Sequence, residues 1–320
     1  MGGAQIAVAN DETALITNAA ALGKLRDAYG TILDPEIEAN SNATTTYNRN
    51  AYNAFSLQNV KDTTNLNRNT YLHAKAQLFP SFVVQNFGIG ILGRKVLDAQ
   101  MNTAGTGLTT FYQDDLSVLL GFNLRLFDGR VKIGATGKII NRIEIDKVLD
   151  PNATLDLATV ASEGVGVGAD VGIILAAPIA WIPTLSAVVR DVGGTSFSAG
   201  SGLRLKTATR PNAIAQDIDV ALAVFPISGK TRSAFTIEYQ KINAAAAATD
   251  KLRYGHLGYE LNLSDLLFLR AGVNQRYWTA GIELASEKTQ LQLTSYGEDI
   301  GVDGTPIEDR RYGFKFSFRF

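Results

Sequence analysis

Residues 311–320 read RYGFKFSFRF, and the chain as given stops there. Tyr312, Phe314, Phe316, Phe318 and Phe320 hold every even position. Arg311, Gly313, Lys315, Ser317 and Arg319 hold every odd one. A period of two puts the aromatics on one face of a β-strand and the charges on the other. In a water-soluble sheet the aromatic face would be core, and five aromatics without a Val or Ile make an unusual core strand. Lipid outside and a polar lumen inside predict the pattern directly.

The same alternation recurs along the chain. Val118, Leu120, Phe122, Leu124 and Leu126 lead to Asp128-Gly129, a hairpin-turn signal. The return strand sets Val131, Ile133, Ala135, Gly137, Ile139, Asn141, Ile143 and Ile145 against Lys132, Gly134, Thr136, Lys138, Arg142, Glu144 and Asp146. It is long enough to cross a bilayer and project beyond it. Between 163 and 176 an apolar face opposes a stripe of Gly164, Gly166, Gly168 and Gly172, broken by Asp170. Such a stripe fits a strongly curved strand, or room for a hatch or ligand against the wall. Trp181 is a girdle residue on this reading, with Trp278, Tyr312, Phe314, Phe316, Phe318 and Phe320 as membrane-facing anchors. From Gly88 onward about twelve strands follow, joined alternately by short turns and long loops. Tyr29–Asn40 reads as a first strand in which Pro35 demands an edge or a bulge. Residues 41–80 fit no single pattern, with a surface helix or a hairpin open for Ala54–Ala76.

Composition agrees. The 320 residues are 46% hydrophobic with mean hydropathy +0.02, because lipid-facing and lumen-facing positions average out. No apolar run reaches the ~20 residues of a membrane helix. A net charge of −1 and the absence of a basic, aromatic-interleaved patch argue against nucleic acid as a partner. Without Cys there are no disulfides or thiolate sites, and no cofactor or metal motif is present. No leader peptide is visible, so Met1-Gly2-Gly3 reads as a mature start preceded by an initiator Met.

The first residues add a resemblance. Gly2-Gly3-Ala4, Ala7, Ala9, Asp11, Ala14, Asn18 and Ala20-Ala21-Leu22 resemble the N-terminal signature of the FadL-type outer-membrane transporter superfamily, including its PorV-like and TraF-like branches. Asn10 stands where the family has the first Asp, and Ala19 where it has Pro. The resemblance implies a barrel of about fourteen strands over 27–320 and a hatch over 1–26, in a bacterial outer membrane reached through the periplasm. The spacing of Ala14, Leu15, Ala19, Leu22 and Leu25 reads as a helix that Asp11 caps. The terminal strand resembles those whose last aromatic the barrel assembly machinery reads. Membrane lipid and lipopolysaccharide are further partners on this reading.

Arg125, Lys138, Arg142, Asp170, Arg190, Arg232 and Arg270 fall on the lumen face and are the candidate lumen or ligand residues. They form either an interlocked ionic interior or a path for an anionic amphiphile. His256 shares that face with Glu260, but a lone His–Glu pair is more often structural than catalytic. Asp114-Asp115 reads as a solvated rim before a cation site. The expectation is a non-enzymatic barrel that passes hydrophobic or amphipathic compounds. The alternatives are a self-associating barrel that holds lipid within or between protomers, and a secretion accessory.

Overall fold

A β-sheet in lipid has no water for its edges, so it must close. The computed structural model describes residues 1–46, 54–153, 155–198, 203–229 and 231–320, and in it the sheet closes as an antiparallel barrel of fourteen strands. Strand β1 runs in two segments, Tyr29–Leu33 and Glu36–Asn40, and β2 in two, Leu72–Leu78 and Ser81–Val84. Then come β3 (Phe87–Met101), β4 (Leu108–Leu126), β5 (Val131–Leu149), β6 (Ser162–Ala176) and β7 (Thr184–Arg190). The circuit continues with β8 (Asp217–Val224), β9 (Thr231–Tyr239), β10 (Gly255–Leu263) and β11 (Leu267–Asn274). It ends with β12 (Tyr277–Ala285), β13 (Thr289–Asp299) and β14 (Glu308–Arg319). Closure is the pairing of β14 with both segments of β1, from Arg311 opposite Asn40 down to Thr31 opposite Arg319.

Side-chain parity follows the pleat. Val118, Leu120, Phe122 and Leu124 on β4, Phe235 and Ile237 on β9, and Tyr312, Phe314 and Phe318 on β14 are exposed on the outer face. Phe316 shares their parity and is half-buried, and Phe320 lies just past the strand, 69% exposed. Trp181 and Trp278 are also exposed. Among the described residues, no helix is long and apolar enough to cross a membrane.

The 19-residue strands β4 and β5 rise above this band. There the outward parity turns inward-buried: Leu97, Met101, Tyr112, Ile143 and Ile145 lie under the helix Leu57–Leu66. The polar stretch before β2 therefore contributes helices, Ser41–Thr46 and Leu57–Leu66, rather than a hairpin. Asp114 and Asp115 point to opposite faces. Asp115 pairs with Arg142 in the lumen at 2.8 Å, and Asp114 pairs outside with Arg204 at 2.7 Å. They do not form one cation site.

Residues 1–26 lie inside the lumen, but not as one helix. Ala14–Thr17 is a single α-turn, and Ala19–Lys24 is a 3₁₀ segment. Asn18 between them is extended, with φ −159° and ψ 106°. The reason is the wall. The Asn18 side chain accepts from the Ala20 N–H at 2.9 Å and donates to Ser186 Oγ on β7 at 2.9 Å. The single helix expected from the spacing is therefore broken at Asn18, although Ala19 stands in place of the family's Pro. Asp11 does not cap directly either; it accepts from the Thr13 N–H and hydroxyl at 3.0 and 2.5 Å.

The hatch fits because the wall is stripped of side chains along its path. A Cβ on Gly134 would stand 2.3 Å from the Ala19 carbonyl carbon and the Ala20 nitrogen. One on Gly172 would stand 2.0 Å from Asn18 Oδ1. Of the glycine stripe on β6, only Gly172 serves the hatch; Gly164, Gly166 and Gly168 make room for Thr195, Phe197 and Pro211 of the long connection after β7. Leu15 and Leu22, both buried, seal the contact and contribute roughly 1.5–3 kcal/mol each. Gly134→Val opposes backbone atoms that cannot swing aside, an overpacking cost of about 1–3 kcal/mol or more. The barrel of this variant is expected to fold and keep its heat-modifiable gel shift, while residues 1–26 become protease-sensitive. A hatch protected as in the wild type would count against this account of the cradle.

Candidate functional site

The barrel ladder has one interruption between β1 and β2. Glu36 pairs with Gln77 above it and Thr31 with Ser81 below. Ile32–Pro35 and Leu78–Pro80 lie between and pair with each other nowhere. Proline has no N–H to donate, so Pro35 at the upper end of the gap, beside the Glu36–Gln77 pair, and Pro80 at the lower end, beside the Thr31–Ser81 pair, each remove a donor that closure would need. Each keeps its carbonyl bond on the far side: Pro35 accepts from the Phe316 N–H at 3.0 Å, and Pro80 from the Ile91 N–H at 2.9 Å. The breach is thus confined to one strand pair. Ile32, Leu33 and Leu78 are exposed on its lipid side.

Phe79 stops the breach from within. It is 1% exposed, sits against Gly90, whose absent Cβ would lie 2.7 Å from its ring, and shares a buried cluster with Leu15 and Leu22 of the hatch. Stopper and hatch are one packing unit.

Above the hatch lies a lumenal chamber of about 720 Å³. Met1–Gly3 and Gln5 contribute to its floor, and Glu36, Lys75, His256, Gln292, Tyr296 and Lys315 are among its wall residues. Glu36 and Lys315 sit immediately above the breach, so chamber and breach adjoin. Tyr296 donates to Glu38 at 2.5 Å, and Glu38 meets His73 Nε2 at 2.9 Å. His256 does not engage Glu260. Its Nδ1 meets the Gly2 carbonyl at 2.9 Å, while Glu260 pairs with Arg270 at 2.6 Å.

The named lumen residues separate into two groups. Lys138 bridges Asp170 and Asp191 at 2.7 and 2.9 Å, Arg190 holds Asp219 at 2.7 Å, and Arg270 holds Glu260 and Glu283, both at 2.6 Å. With Arg142 and Asp115 they make an interlocked ionic interior, and none of them lines the chamber. Arg232 lies by the turn after β10, 3.3 Å from Asp265, and Arg125 lies at the short-turn mouth. The stopper Phe79 and the hatch residue Glu12 escaped the sequence reading. The available signal was Asp34-Pro35 and Phe79-Pro80, a proline inside each of two neighbouring strands.

Glu12 is where the hatch meets the cations of the closing strand. Arg319 reaches it at 2.5 Å and Asp11 at 3.6 Å; Lys315 lies 3.9 Å from Glu12 and 3.1 Å from Asp34. All four carboxylate and cationic partners converge beside the breach.

Neither a protein-family model nor a curated protein matches the sequence. Solved structures do. The monoaromatic hydrocarbon channel CymD aligns over 100% of this chain and 96% of its own, with TM-score 0.60 and 9% identity. The toluene transporter TodX of Pseudomonas putida aligns over 100% and 96%, with TM-score 0.57 and 13% identity. The chain has the fold of the FadL-type channels. At this identity the likeness concerns the fold alone. Within that FadL-type fold, the polar chamber and the Pro35/Pro80 breach are read from this chain's own residues.

Burial, and after it the neighbouring Asp11, raise the Glu12 carboxyl to about 7, against the pull of Arg319 and Lys315. A carboxyl whose docked-state pKa is raised takes up a proton on docking. Its contribution is present at low pH and is lost as pH rises through 7. Residues 1–26 are therefore expected to be better protected from protease at pH 6 than at pH 8, and Glu12→Gln is expected to flatten that difference. Equal protection of the wild type at both pH values would refute the assignment.

Proposed function

We propose that this protein is an outer-membrane channel for amphipathic small molecules. The polar head occupies the lumenal chamber, and the apolar part leaves sideways through the Pro35/Pro80 breach. One observation carries this reading: the chamber adjoins the only break between β1 and β2, and Phe79, which fills that break, is packed on the hatch. Movement of the hatch removes the support of the stopper, so gating and exit are one event. An apolar tail passing the breach meets Ile32, Leu33 and Leu78 and then lipid, without crossing water.

CymD and TodX are named for monoaromatic hydrocarbons. The chamber here presents Glu36, Lys75, Gln292 and Lys315, groups that lose hydration without return when the ligand is a pure hydrocarbon. That favours a ligand with a hydrogen-bonding head. Bacterial outer-membrane residence, contact with lipid and lipopolysaccharide, and delivery by the barrel assembly machinery belong to the same reading. So does a transport role in place of an enzymatic one.

Two variants test it in planar bilayers and proteoliposomes. Deletion of residues 2–26 is expected to open a steady conductance. Phe79→Ala is expected to raise uptake of a medium-chain amphiphile several-fold while leaving inorganic-ion conductance small. A closed recording from the deletion, or unchanged uptake with Phe79→Ala, would overturn the proposal.

A further inference from the structure

Three cations gather at the short-turn mouth of the lumen without a carboxylate among them. Arg125 on β4 and Lys132 on β5 stand directly opposite each other in the ladder, on the lumen side. Like charges so placed repel. Lys24 ends the 3₁₀ segment of the hatch beside them. The hatch backbone is pressed against this corner. A Cβ on Gly23 would lie 2.3 Å from Asn123 Oδ1 and 3.1 Å from Arg125 Cγ.

These cations differ from the other lumenal ones. Lys138, Arg142, Arg190, Arg270, Lys315 and Arg319 each hold a carboxylate between 2.5 and 3.1 Å. Lys24 Nζ reaches only the Ala7 carbonyl, at 2.5 Å, with the Phe225 ring 5.7 Å away. Lys132 Nζ reaches only the Gly129 carbonyl, although Lys132 is 8% exposed. Among the described residues the Arg125 guanidinium has no ion-pair partner. Burial, and then Lys132, bring the Lys24 ammonium down to about 7. Lys132 is buried, Lys24 half-buried and Arg125 exposed at the mouth, so like charges without a counter-charge run from the interior to an opening that solvent anions reach, and an anion between them removes the repulsion.

We propose that Lys24, Arg125 and Lys132 form a binding site for an oxyanion, a phosphate or carboxylate group, at the short-turn mouth of the barrel. Arg125 supplies a planar donor fork and the two ammonium groups supply point charge. Because Lys24 belongs to the hatch and the other two to the wall, the bound anion clamps the hatch in place. This goes beyond the transport reading and stands or falls on binding alone.

The test uses the full chain in non-ionic detergent at low salt, with inorganic phosphate and decyl phosphate as probes in calorimetric titrations. Both are expected to bind, and phosphate is expected to protect residues 1–26 from protease. Arg125→Gln, Lys132→Gln and Lys24→Gln are each expected to weaken binding about tenfold, the worth of one charged hydrogen bond. Lys24→Gln leaves the barrel ladder intact, so its result does not depend on wall folding. Lys288→Gln, an equal charge change in an exposed turn at the same mouth, is expected to change nothing. Decyl phosphate binding ten times tighter than inorganic phosphate identifies an amphiphile's head group as the source; equal affinities identify a free anion. Absence of binding by both probes, or binding equal in all variants, would overturn the proposal.

Discussion

Every backbone N–H and C=O that faces lipid must find its partner in the protein, and the molecule is built around that requirement. It closes β14 onto β1, and it makes any gap in the ladder both rare and consequential. The one gap between β1 and β2 exists because two prolines remove the donors that would have filled it. The carbonyls that remain bond away from the gap, to β14 and β3, so the breach leaves the flanking strands intact.

Closure creates a lumen, and the lumen must in turn be filled. Filling is done by backbone rather than by large side chains. The hatch lies on Gly134 and Gly172, where the wall offers only its own main chain, and it hydrogen-bonds to Ser186, Thr136 and Asn123. A hatch held by backbone contact and a few leucines is a body that can be displaced. The ionic cluster of Glu12, Asp34, Lys315 and Arg319 binds it to the closing strand, at the height of the breach. The energetics of plugging and the geometry of exit thus meet at one place in the wall.

The charges inside serve two purposes that parity alone does not separate. Around β5, β6, β7 and β11 they neutralise one another at hydrogen-bond distance and stiffen the interior. At the chamber and at the short-turn mouth they face open volume or one another. Which group a residue joins depends on what the adjacent strands place beside it, and hence on register.

Strand alternation, the terminal aromatic strand and the Asp128-Gly129 turn pointed by themselves to a barrel and set which side chains share the charge-free face. A period of two leaves a side chain only two faces, and one of them is free of charge. The glycine stripe of β6 left open a curved strand or a close approach, and the structure shows close approach, by the hatch at Gly172 and by the connection after β7 at Gly164, Gly166 and Gly168. The broken course of the hatch, the gap bounded by Pro35 and Pro80, the separation of Asp114 from Asp115, and the partners of His256 were decided by tertiary structure. Each of these is a contact between segments tens to hundreds of residues apart. Local sequence constrains a residue's own φ, ψ and face, but the identity of its neighbour across the barrel is fixed only when the ladder closes in register.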